Sequence, residues 1–384
     1  MINKPEIIVV TLMTPQGTTG VQTHFNQIIN AAISDGIKIS LVHPYEFNWF
    51  VRKVVGLIIR LLRPAGDEWV DLWGRWAHYQ ILKYKLRQIL AINKDPVVLY
   101  AQDPLSTKAA LVARTNKNTQ RVASVIHFNV AEADEYLMKG IIKKNSYLYN
   151  SLVTNEKNTL PKVDKLIFVS QFMQDIVHTR LPTTKNLPNV VITNFIEDLS
   201  STLDNPNVSG DVITIGTLEP RKNQAFILHV LANCKAKGKV YTLTIIGDGP
   251  DRAGLEKLTS GLGLTEQVTF MGFKANAIDH LSTHKIYAHA ALLENMPLTL
   301  MEALSQSLPL IAAPVGGIPE VYTDGQEGFY WSFDDIEGAA DKLCELLENK
   351  ALYALMAKKA RSRFEQHFSK KALASKWLNE LITS

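Results

Sequence analysis

Cysteine is nearly absent from this sequence. The 384 residues include only Cys234 and Cys344, which lie far apart in the chain and lack the spacing of metal ligands. A single pair of cysteines cannot build the disulfide framework of a small secreted domain. The sequence therefore predicts a protein of the reducing cytosol.

Long hydrophobic runs are also absent. No uninterrupted apolar stretch reaches the roughly 20 residues that are needed to cross a bilayer. The apolar run at residues 6–13 is too short for a signal peptide and is predicted to be the first strand of a sheet. We therefore expect a cytoplasmic protein that meets membranes only peripherally.

A large excess of charge of one sign is missing as well. The chain has 41 basic and 37 acidic residues, which gives a net charge of +4. This excess is far below the clustered basicity of nucleic-acid-binding proteins, so no nucleic acid partner is expected. It is compatible with the binding of a diphosphate or of an anionic membrane surface.

The chain is too long for one hydrophobic core, and its composition changes near the middle. Residues 199–210 are rich in Ser, Asn, Asp, Pro and Gly without periodicity, which predicts a linker. Domains are therefore predicted at 1–198 and 211–365, followed by a C-terminal helix at 366–384. In both domains short buried strands alternate with helices, a pattern typical of a doubly wound, parallel α/β sheet.

Residues 45–90 of the first domain are distinguished by a basic, aliphatic segment with aromatic residues on either side. A predicted helix carries Arg52, Lys53, Arg60 and Arg63 on one side, its remaining residues are largely aliphatic, and aromatic residues flank it. Such a helix can lie in a membrane interface with its cations on anionic head groups. Alternatively, the aliphatic side packs on the domain core and the arginines extend into solvent.

In the first domain, polar residues follow predicted strands at the edge where α/β proteins bind ligands. Gln102 and Asp103 follow one strand, and His127 and Asn129 follow the next. The histidine can donate a hydrogen bond to a ligand, although a lone histidine is more often structural. The loop after the first strand, which ends in Thr19 and Gly20, lacks the GxGxxG spacing. Its glycine indicates either a phosphate loop or a turn that requires a positive φ.

In the second domain, Arg221 and Lys222 are the best candidate phosphate ligands, since Arg offers a planar fork of donors and Lys a compact charge. Cations are unfavourable where a helix begins unless an anion lies between, which indicates a bound anion. Gly247 and Gly249 follow the next predicted strand. They either admit a nucleotide closely or form an ordinary turn.

Residues 293–328 combine two carboxylates with the start of a helix. Glu294 lies in a loop, Pro297 is predicted to open the helix, and Glu302 lies in its second turn. Carboxylates accept hydrogen bonds from hydroxyl groups, and free N–H groups at a helix start favour negative charge. This stretch predicts a site for a hydroxyl-rich, anionic ligand.

The order Glu294-x7-Glu302, then PVGGIPE at 314–320, then Asp324-Gly325-x2-Gly328 resembles the donor-site signature of the family 4 retaining glycosyltransferases. The resemblance implies the GT-B fold, in which two Rossmann-like domains face a central cleft, with the C-terminal helix packed on the first domain. This sequence departs from the family pattern at Thr19 and Phe195, where glycines are usual, and at Thr217, where an arginine is usual. Arg221 is inferred to supply the missing cation.

The resemblance also implies roles for individual residues. Glu294, His127, Arg221 and Lys222 would be catalytic, and the N-terminal domain would bind the acceptor through Gln102, Asp103 and Asn129. The expected donor-binding residues are Thr19, Gly20, Gly216, Thr217, Arg221, Lys222, Gly247, Gly249, Phe273, Lys274, Asn295, Met296, Pro297, Leu298 and Glu302.

The predicted function is the transfer of a hexose, with retention, from a nucleotide-diphosphate sugar to a glycan or lipid-linked saccharide in the synthesis of a cell-surface polysaccharide or glycoconjugate. No cofactor is expected, and no metal, because no DxD pair of aspartates ends a strand. Two alternatives remain open at this point: a nucleotide-sugar epimerase or hydrolase of the same fold, and a non-catalytic, membrane-associated module that binds nucleotide sugars.

Overall fold

The computed structural model of the chain describes residues 4–17, 19–45, 49–138, 140–198 and 208–383, and it gives only the backbone of residues 49–53 and 65. The chain divides into two compact units. The N-terminal unit comprises Met1–Thr193 and Ala374–Ser384, and the C-terminal unit comprises Asn194–Leu373.

The N-terminal unit contains a six-stranded, wholly parallel sheet in the order β2-β1-β3-β4-β5-β6. The strands are β1 (Glu6–Val10), β2 (Ile39–Val42), β3 (Val97–Ala101), β4 (Gln120–Ile126), β5 (Lys165–Phe168) and β6 (Asn189–Val191). The helices are α1 (Gly20–Ser34), α2 (Trp49–Leu62), α3 (Asp67–Ile92), α4 (Pro104–Ala113), α5 (Glu132–Met138), α6 (Tyr147–Thr159) and α7 (Gln171–Arg180). Every residue of β1 and β3 is buried, as expected for a parallel sheet that is covered on both faces.

The C-terminal unit contains a second six-stranded parallel sheet, in the order β12-β11-β10-β7-β8-β9. Its strands are β7 (Gly210–Ile215), β8 (Leu243–Ile246), β9 (Val268–Gly272), β10 (His284–His289), β11 (Leu310–Ala312) and β12 (Gly328–Tyr330). Its helices are α8 (Gln224–Ala236), α9 (Arg252–Gly261), α10 (Leu298–Ser305), α11 (Ile318–Val321), α12 (Ile336–Glu348) and α13 (Lys350–His367). The predicted α/β class with two Rossmann-like sheets is confirmed.

The strand orders define one ligand-binding position in each sheet. From β1 the chain continues to β2 on one side, while β3 to β6 follow on the other side. In the second sheet, β7 likewise separates β8 and β9 from β10 to β12. Loops diverge where the order reverses, and the resulting crevice at the carboxyl ends is the usual binding site of open α/β sheets. These crevices lie after β1 and β3, and after β7 and β10.

The last helix, α14 (Lys370–Ile382), returns the chain to the N-terminal unit. The ring of Trp377 is fully buried there, and its indole N–H donates a hydrogen bond to the carbonyl of Thr193 at 2.8 Å. Lys165 forms an ion pair with Glu380 at 2.8 Å. Because the Trp377 ring is buried and its N–H group has a hydrogen-bond partner, this residue attaches α14 firmly to the N-terminal unit.

The boundary between the units differs from the predicted one. It falls after Thr193 rather than after residue 198, because the segment that follows Thr193 pairs with the end of α13: Ile196 bridges to Ser369, and Asp198 accepts a hydrogen bond from Arg361 at 2.8 Å. Of the predicted linker at 199–210, residues 199–207 lie outside the described residues.

The segment at 45–90 forms α2 and α3, joined by a short 3-10 turn at Arg63–Ala65. On α2, Val54, Leu57 and Leu61 are exposed, with Leu61 at 70%, whereas Val55 and Ile59 are only partly exposed. The aliphatic side is therefore only partly packed on the core. Arg60 and Arg63 are exposed, and the side chains of Arg52 and Lys53 lie outside the described part of the chain. Among the helices that the structure describes, none combines the length and hydropathy of a membrane span.

Candidate functional site

A cluster of charged side chains occupies the crevice of the C-terminal unit. Lys222, in the loop after β7, donates a hydrogen bond to the Glu294 carboxylate, in the loop after β10. The Arg221 guanidinium lies 3.4 Å from the same carboxylate oxygen. The ring of His289, the last residue of β10, lies 3.3 Å from it. Sequence analysis predicted three of these residues, and the structure brings them together at the point where the strand order reverses.

The charge of Glu294 is strongly stabilised by this cluster. Burial by itself would raise the pKa of the carboxyl, but Lys222, His289 and Arg221 outweigh burial and hold its pKa well below the usual range. His289 is buried too, and burial lowers the pKa of its imidazole, so the ring is neutral near pH 7. The carboxylate is therefore ionised and fixed in position before any ligand arrives.

Two glycines of the PVGG stretch determine where Glu294 lies. Gly317 donates its backbone N–H to the carbonyl of Glu294 at 3.0 Å. Gly316 has φ +59°, and a Cβ atom there would lie 1.8 Å from that same carbonyl oxygen. Only glycine allows this approach, so this part of the motif supports the Glu294 loop by backbone packing.

Gly247 and Gly249 have a comparable role at the neighbouring loop. Gly247 has φ +142°, and a Cβ there would lie 1.9 Å from the carbonyl oxygen of Gly216. A Cβ at Gly249 would lie 2.3 Å from the carbonyl oxygen of Leu218. The loops after β7 and β8 thus cross in direct backbone contact, which requires the glycines whether or not a nucleotide binds there.

Arg221 pairs with anionic and carbonyl groups of the protein itself. The cations near the start of α8 were interpreted as a sign of a bound anion. The anions that balance them in the structure are the protein's own, because Arg221 pairs with Glu219 at 2.8 Å and also donates to the Leu293 carbonyl at 3.0 Å. Arg221 therefore joins the loops after β7 and β10, and its role towards phosphate stays a prediction.

Glu302 lies on α10 and is buried. Burial raises the pKa of its carboxyl to about 7, and no hydrogen bond to this carboxylate occurs among the described residues. The helix begins at Leu298, with Pro297 at the N-cap position rather than at the first helical position as predicted. The carboxylate would gain a partner from any ligand that brings a hydroxyl group to it.

The remaining predicted donor residues of the C-terminal unit differ in exposure. Phe273 is 65% exposed, and Lys274 and Thr217 are exposed as well. The loop residues that lead into α10 are all buried: Asn295, Met296, Pro297 and Leu298. Exposed and buried residues alike follow the carboxyl ends of the strands, and their contacts with a donor stay predictions.

In the N-terminal unit, Thr19 and Gly20 have a structural role that the sequence left open. Thr19 caps α1, and its hydroxyl and Gln22 form a reciprocal capping box. Gly20 is the first residue of the helix, so the interpretation as a positive-φ turn is wrong for Gly20. It fits Gly17, which has φ +147°. Gln22 also binds the carbonyl groups of Thr14 and Gln16, and thus holds this loop in shape.

His127 and Gln102 lie together at the carboxyl ends of β4 and β3. The His127 Nε2 and Gln102 Oε1 atoms are 3.1 Å apart, a hydrogen bond. The ring of His24 contacts His127 edge to face at a centroid distance of 4.8 Å. Burial lowers the pKa of His127 to about 3, so the imidazole is neutral at physiological pH. It can exchange hydrogen bonds with a ligand but does not carry charge.

Two predicted acceptor residues prove to have intramolecular partners. Asp103 caps α4: its carboxylate accepts the N–H groups of Leu105 and Ser106, and it also accepts the N–H of Leu12 at 3.2 Å. Asn129 donates from its side chain and its backbone to Glu135, at 2.9 and 2.6 Å. Both residues thus hold loops together, a role that sequence analysis did not anticipate.

A cavity of about 580 Å³ opens at this crevice of the N-terminal unit. Gln102, Asp103 and His127 line it, and α2 and α3 contribute apolar walls that include Ile59 and Trp73. We name it the β3–β4 cavity. Its size is typical of a small-molecule site.

An ion pair that the sequence did not reveal lines the same cavity. Arg75 of α3 binds Glu132 of α5 at 2.7 Å through one carboxylate oxygen, while the other oxygen of Glu132 is buried without a hydrogen-bond partner among the described residues. A buried polar atom of this kind is normally satisfied. The only sequence signal was a charged residue between Trp73 and Trp76. His289 could have been found by the rule that selected His127, a histidine at the carboxyl end of a strand.

Across the described ranges, no group of three or more His, Cys, Asp or Glu side chains is arranged to hold a metal ion.

Comparison with known proteins finds a family match within the C-terminal unit. Residues 196–363 match the family described as glycosyl transferases group 1. N-acetyl-alpha-D-glucosaminyl L-malate synthase of Bacillus anthracis is 30% identical over 135 residues, which is 35% of this chain and 35% of that protein. The matched segments span between 30% and 52% of the length of the first three curated relatives.

Two solved structures share the fold. HepE from Anabaena, in complex with UDP, is 16% identical with a TM-score of 0.64, and the match covers 99% of this chain and 100% of HepE. A TarM mutant from S. aureus, in complex with fondaparinux, alpha-GlcNAc-glycerol and UDP, is 20% identical with a TM-score of 0.65, and the match covers 80% of this chain and 59% of TarM. The predicted GT-B fold class is confirmed.

Proposed function

We propose that this chain, whose residues 196–363 match the group 1 glycosyltransferases, is a retaining hexosyltransferase. Its donor is a nucleotide-diphosphate sugar, and its acceptor is a glycan or a lipid-linked saccharide of a cell-surface polysaccharide or glycoconjugate. UDP in the complexes of HepE and TarM supports a nucleotide donor.

One observation carries the proposal: Lys222 and Arg221 meet Glu294 where the strand order of the C-terminal sheet reverses. The two cations can stabilise a diphosphate, and preorganised charge of this kind is usually the largest single contribution to catalysis. When a diphosphate shares these cations, Glu294 becomes available to accept a hydrogen bond from a sugar hydroxyl. Glu302, whose pKa is raised by burial, is assigned to the ribose hydroxyls.

The proposed reaction takes place on one face of the sugar. The bond from the anomeric carbon to the diphosphate oxygen breaks, and the acceptor oxygen forms its bond on the same face. The leaving diphosphate takes the acceptor's proton, so no separate base is required. Arg221 and Lys222 stabilise the charge that develops on the diphosphate, a role that a metal ion fills in other transferases.

The test is donor turnover, measured as release of nucleoside diphosphate in the presence of acceptor. Glu294→Gln is expected to lower turnover by roughly a hundredfold or more, since it removes one preorganised charge. The matched control is Glu337→Gln on the exposed surface of α12, which should leave turnover unchanged. EDTA should have no effect. Unchanged turnover in Glu294→Gln would refute the transferase, and loss of turnover in EDTA would refute metal independence.

The two alternative functions are separated by products. An epimerase or hydrolase would release nucleoside diphosphate without an acceptor and leave a free or epimerised sugar. A binding module would show no turnover while it binds donor. NMR of the glycosylated product tests retention, because an inverted anomeric configuration would contradict the same-face reaction.

The β3–β4 cavity is proposed to hold the part of the acceptor that receives the sugar. Among the described lining residues, Asp71, Asp103, Glu132 and Glu135 are acidic and Arg75 is the one Lys or Arg. This charge disfavours a phosphate or carboxylate in the cavity and favours uncharged hydroxyl groups. The unpartnered oxygen of Glu132 is placed to accept a hydrogen bond from such a hydroxyl.

The exposed side of α2 is proposed to contact an anionic membrane. Arg60 lies beside Leu57 and Leu61, which are 58% and 70% exposed, so cations and apolar residues share one surface. Replacing Arg60 and Arg63 by Glu should reduce binding to vesicles that contain anionic lipid by about tenfold or more, at roughly 1 kcal/mol for each cation removed. The control is Lys94→Glu with Lys117→Glu, which makes the same charge change at exposed positions of the same unit. Equal binding by both double variants would refute the contact.

A further inference from the structure

A second and larger hollow lies in the N-terminal unit, between α3, α4 and α6. Its volume is about 990 Å³, and we name it the α3–α6 groove. Neither the sequence analysis nor the proposed function uses it. Residues of α4 line one side, namely Leu105, Lys108, Leu111 and Val112. The walls on α3 and α6 differ in chemistry, and both follow directly from the spacing of residues along their helices.

The first wall is a row of aromatic rings on α3. Trp69, Trp73, Trp76 and Tyr79 recur at intervals of four, three and three residues, so they share one face of the helix and all line the groove. From Trp69 to Tyr79 the helix rises about 15 Å. Trp69 and Trp76 are 51% and 57% exposed, which is unusual for indoles that merely fill a core.

The second wall is a row of amide and hydroxyl side chains on α6. Their spacing places them on one face of the helix, and they comprise Asn150, Ser151, Thr154, Asn155 and Asn158. Tyr147 begins this row, and its ring stacks on Trp69 at a centroid distance of 6.1 Å and an interplanar angle of 22°. The side-chain amide nitrogen of Asn155 is buried without a hydrogen-bond partner among the described residues.

We infer that the α3–α6 groove binds a stretch of oligosaccharide that carries no positive charge. The aromatic row offers flat apolar faces for the C–H faces of sugar rings, and the opposite row offers donors and acceptors for their hydroxyl groups. The charged lining residues are Arg75, Lys108 and Lys162, and no carboxylate lines the groove among the described residues. Neutral or acidic sugars fit this charge, and cationic ones do not.

An acyl chain fits the groove less well than a sugar chain. It could cover the aromatic wall, but it would remove water from the amides and hydroxyls of the α6 row without replacing their hydrogen bonds. That loss costs free energy for every polar group so covered. A glycan can stack on the aromatic row and also form hydrogen bonds with the α6 row, which is why the structure favours it over a lipid.

The groove adjoins the β3–β4 cavity, because Trp73 and Arg75 line both. If the chain is a transferase, the oligosaccharide in the groove is the part of the acceptor beyond the sugar that is extended. This role rests on the proposed function, whereas binding of the glycan does not.

The test is electrophoresis in native gels that contain soluble polysaccharides: a neutral α-glucan, a neutral β-glucan, acidic hyaluronan and cationic chitosan. The wild-type protein should be retarded in at least one neutral or acidic gel. The double variant Trp69→Ala/Trp76→Ala should weaken the interaction by about tenfold or more, and Asn158→Ala should also weaken it. The control Tyr84→Ala, at an exposed position of α3 outside the groove, should behave as the wild type.

Several outcomes would overturn the inference. These are no retardation in any of the gels, retardation only by chitosan, retardation that the Trp69 and Trp76 changes leave intact, and an equal loss in Tyr84→Ala. Loss of vesicle binding in the tryptophan variant, without retardation of the wild type by any glycan, would identify a lipid site instead. Nucleoside diphosphate binding should be unchanged in every variant. Glycan binding without donor turnover would refute the proposed function and leave this inference standing.

Discussion

At the scale of single residues, the two glutamates of the C-terminal unit are equally buried but have opposite electrostatic environments. Glu294 has Lys222, His289 and Arg221 around it, and its pKa falls. Glu302 has no ionic partner in the part of the chain that the structure describes, and burial raises its pKa to about 7. Near pH 7 the Glu294 carboxylate is therefore a fixed charge, while the Glu302 carboxyl is close to its midpoint.

This difference predicts a pH-dependent stability that depends on Glu302. The pKa of Glu302 in the folded state lies above its ordinary value. The free energy of unfolding therefore has its full contribution from this group below about pH 4.5, and that contribution is lost as the pH rises through about 7. Glu302→Gln stays neutral throughout. It should raise the unfolding free energy by about 1–3 kcal/mol near pH 8 and leave it nearly unchanged near pH 4.5.

Urea unfolding at the two pH values measures this effect. The control is Glu345→Gln at an exposed position of α12, which should change the unfolding free energy little. A Glu302→Gln variant with the same stability difference at both pH values would show that Glu302 does not titrate as described. The variant should also bind nucleotide more weakly, because its amide is a poorer acceptor for ribose hydroxyls than a carboxylate.

At the scale of structural elements, loops in backbone contact set the geometry of the site. The carbonyl of Glu294 lies where a side chain at Gly316 would be, and the carbonyl of Gly216 lies where a side chain at Gly247 would be. These contacts hold the loops after β7, β8 and β10 beside one another. A site that is built on such contacts is rigid before the ligand binds.

Gly316→Ala should therefore be destabilising. The new Cβ meets the Glu294 carbonyl, and alanine is strained at φ +59°, so a loss of about 2 kcal/mol or more is expected, together with lower donor turnover. The matched control is Gly254→Ala on α9, where a Cβ meets nothing within 4 Å and helix propensity should add about 0.5–1 kcal/mol. Denaturant unfolding of both variants measures the two changes in unfolding free energy. Equal effects at the two positions would contradict the role of the close approach.

The strands and helices were largely predictable because buried positions recur in the sequence with the period of each kind of element. The predicted alternation of buried strands and helices is observed in both units, and the loops that carry Lys222 and Glu294 follow β7 and β10. Side-chain contacts between residues that are distant in sequence produce no such periodicity. Arg75 and Glu132 are 57 residues apart, and the sulfur atoms of Cys234 and Cys344, distant in sequence, lie 3.7 Å apart as free thiols on α8 and α12.

Some predicted site residues had a second role that the sequence could not reveal. Thr19 and Asp103 follow strands at ligand-binding edges, yet their side chains cap α1 and α4. A capping residue and a ligand-binding residue both offer an oxygen that accepts hydrogen bonds, from backbone N–H groups in the first case and from the ligand in the second. Sequence position alone therefore cannot separate the two roles.

At the scale of the whole molecule, each unit has its own core, its own parallel sheet and its own crevice at the reversal of strand order. The crevice of the C-terminal unit contains the fixed cations, and the crevice of the N-terminal unit contains an excess of carboxylates. The first suits a diphosphate and the second suits uncharged hydroxyl groups. This division of charge agrees with the mild net charge of +4, which arises from local clusters of both signs.

Lys222 and its neighbours are proposed to bind the diphosphate of a nucleotide donor. The most direct test is a thermal-shift panel of UDP, GDP and ADP on the wild type, on Lys222→Met and on the control Lys257→Met, an exposed lysine of α9. At 100 times its dissociation constant, the correct nucleotide should stabilise the wild type and the control by about 2.7 kcal/mol, and Lys222→Met far less. The claim would be contradicted if no diphosphate stabilised the wild type, or if Lys222→Met responded as strongly.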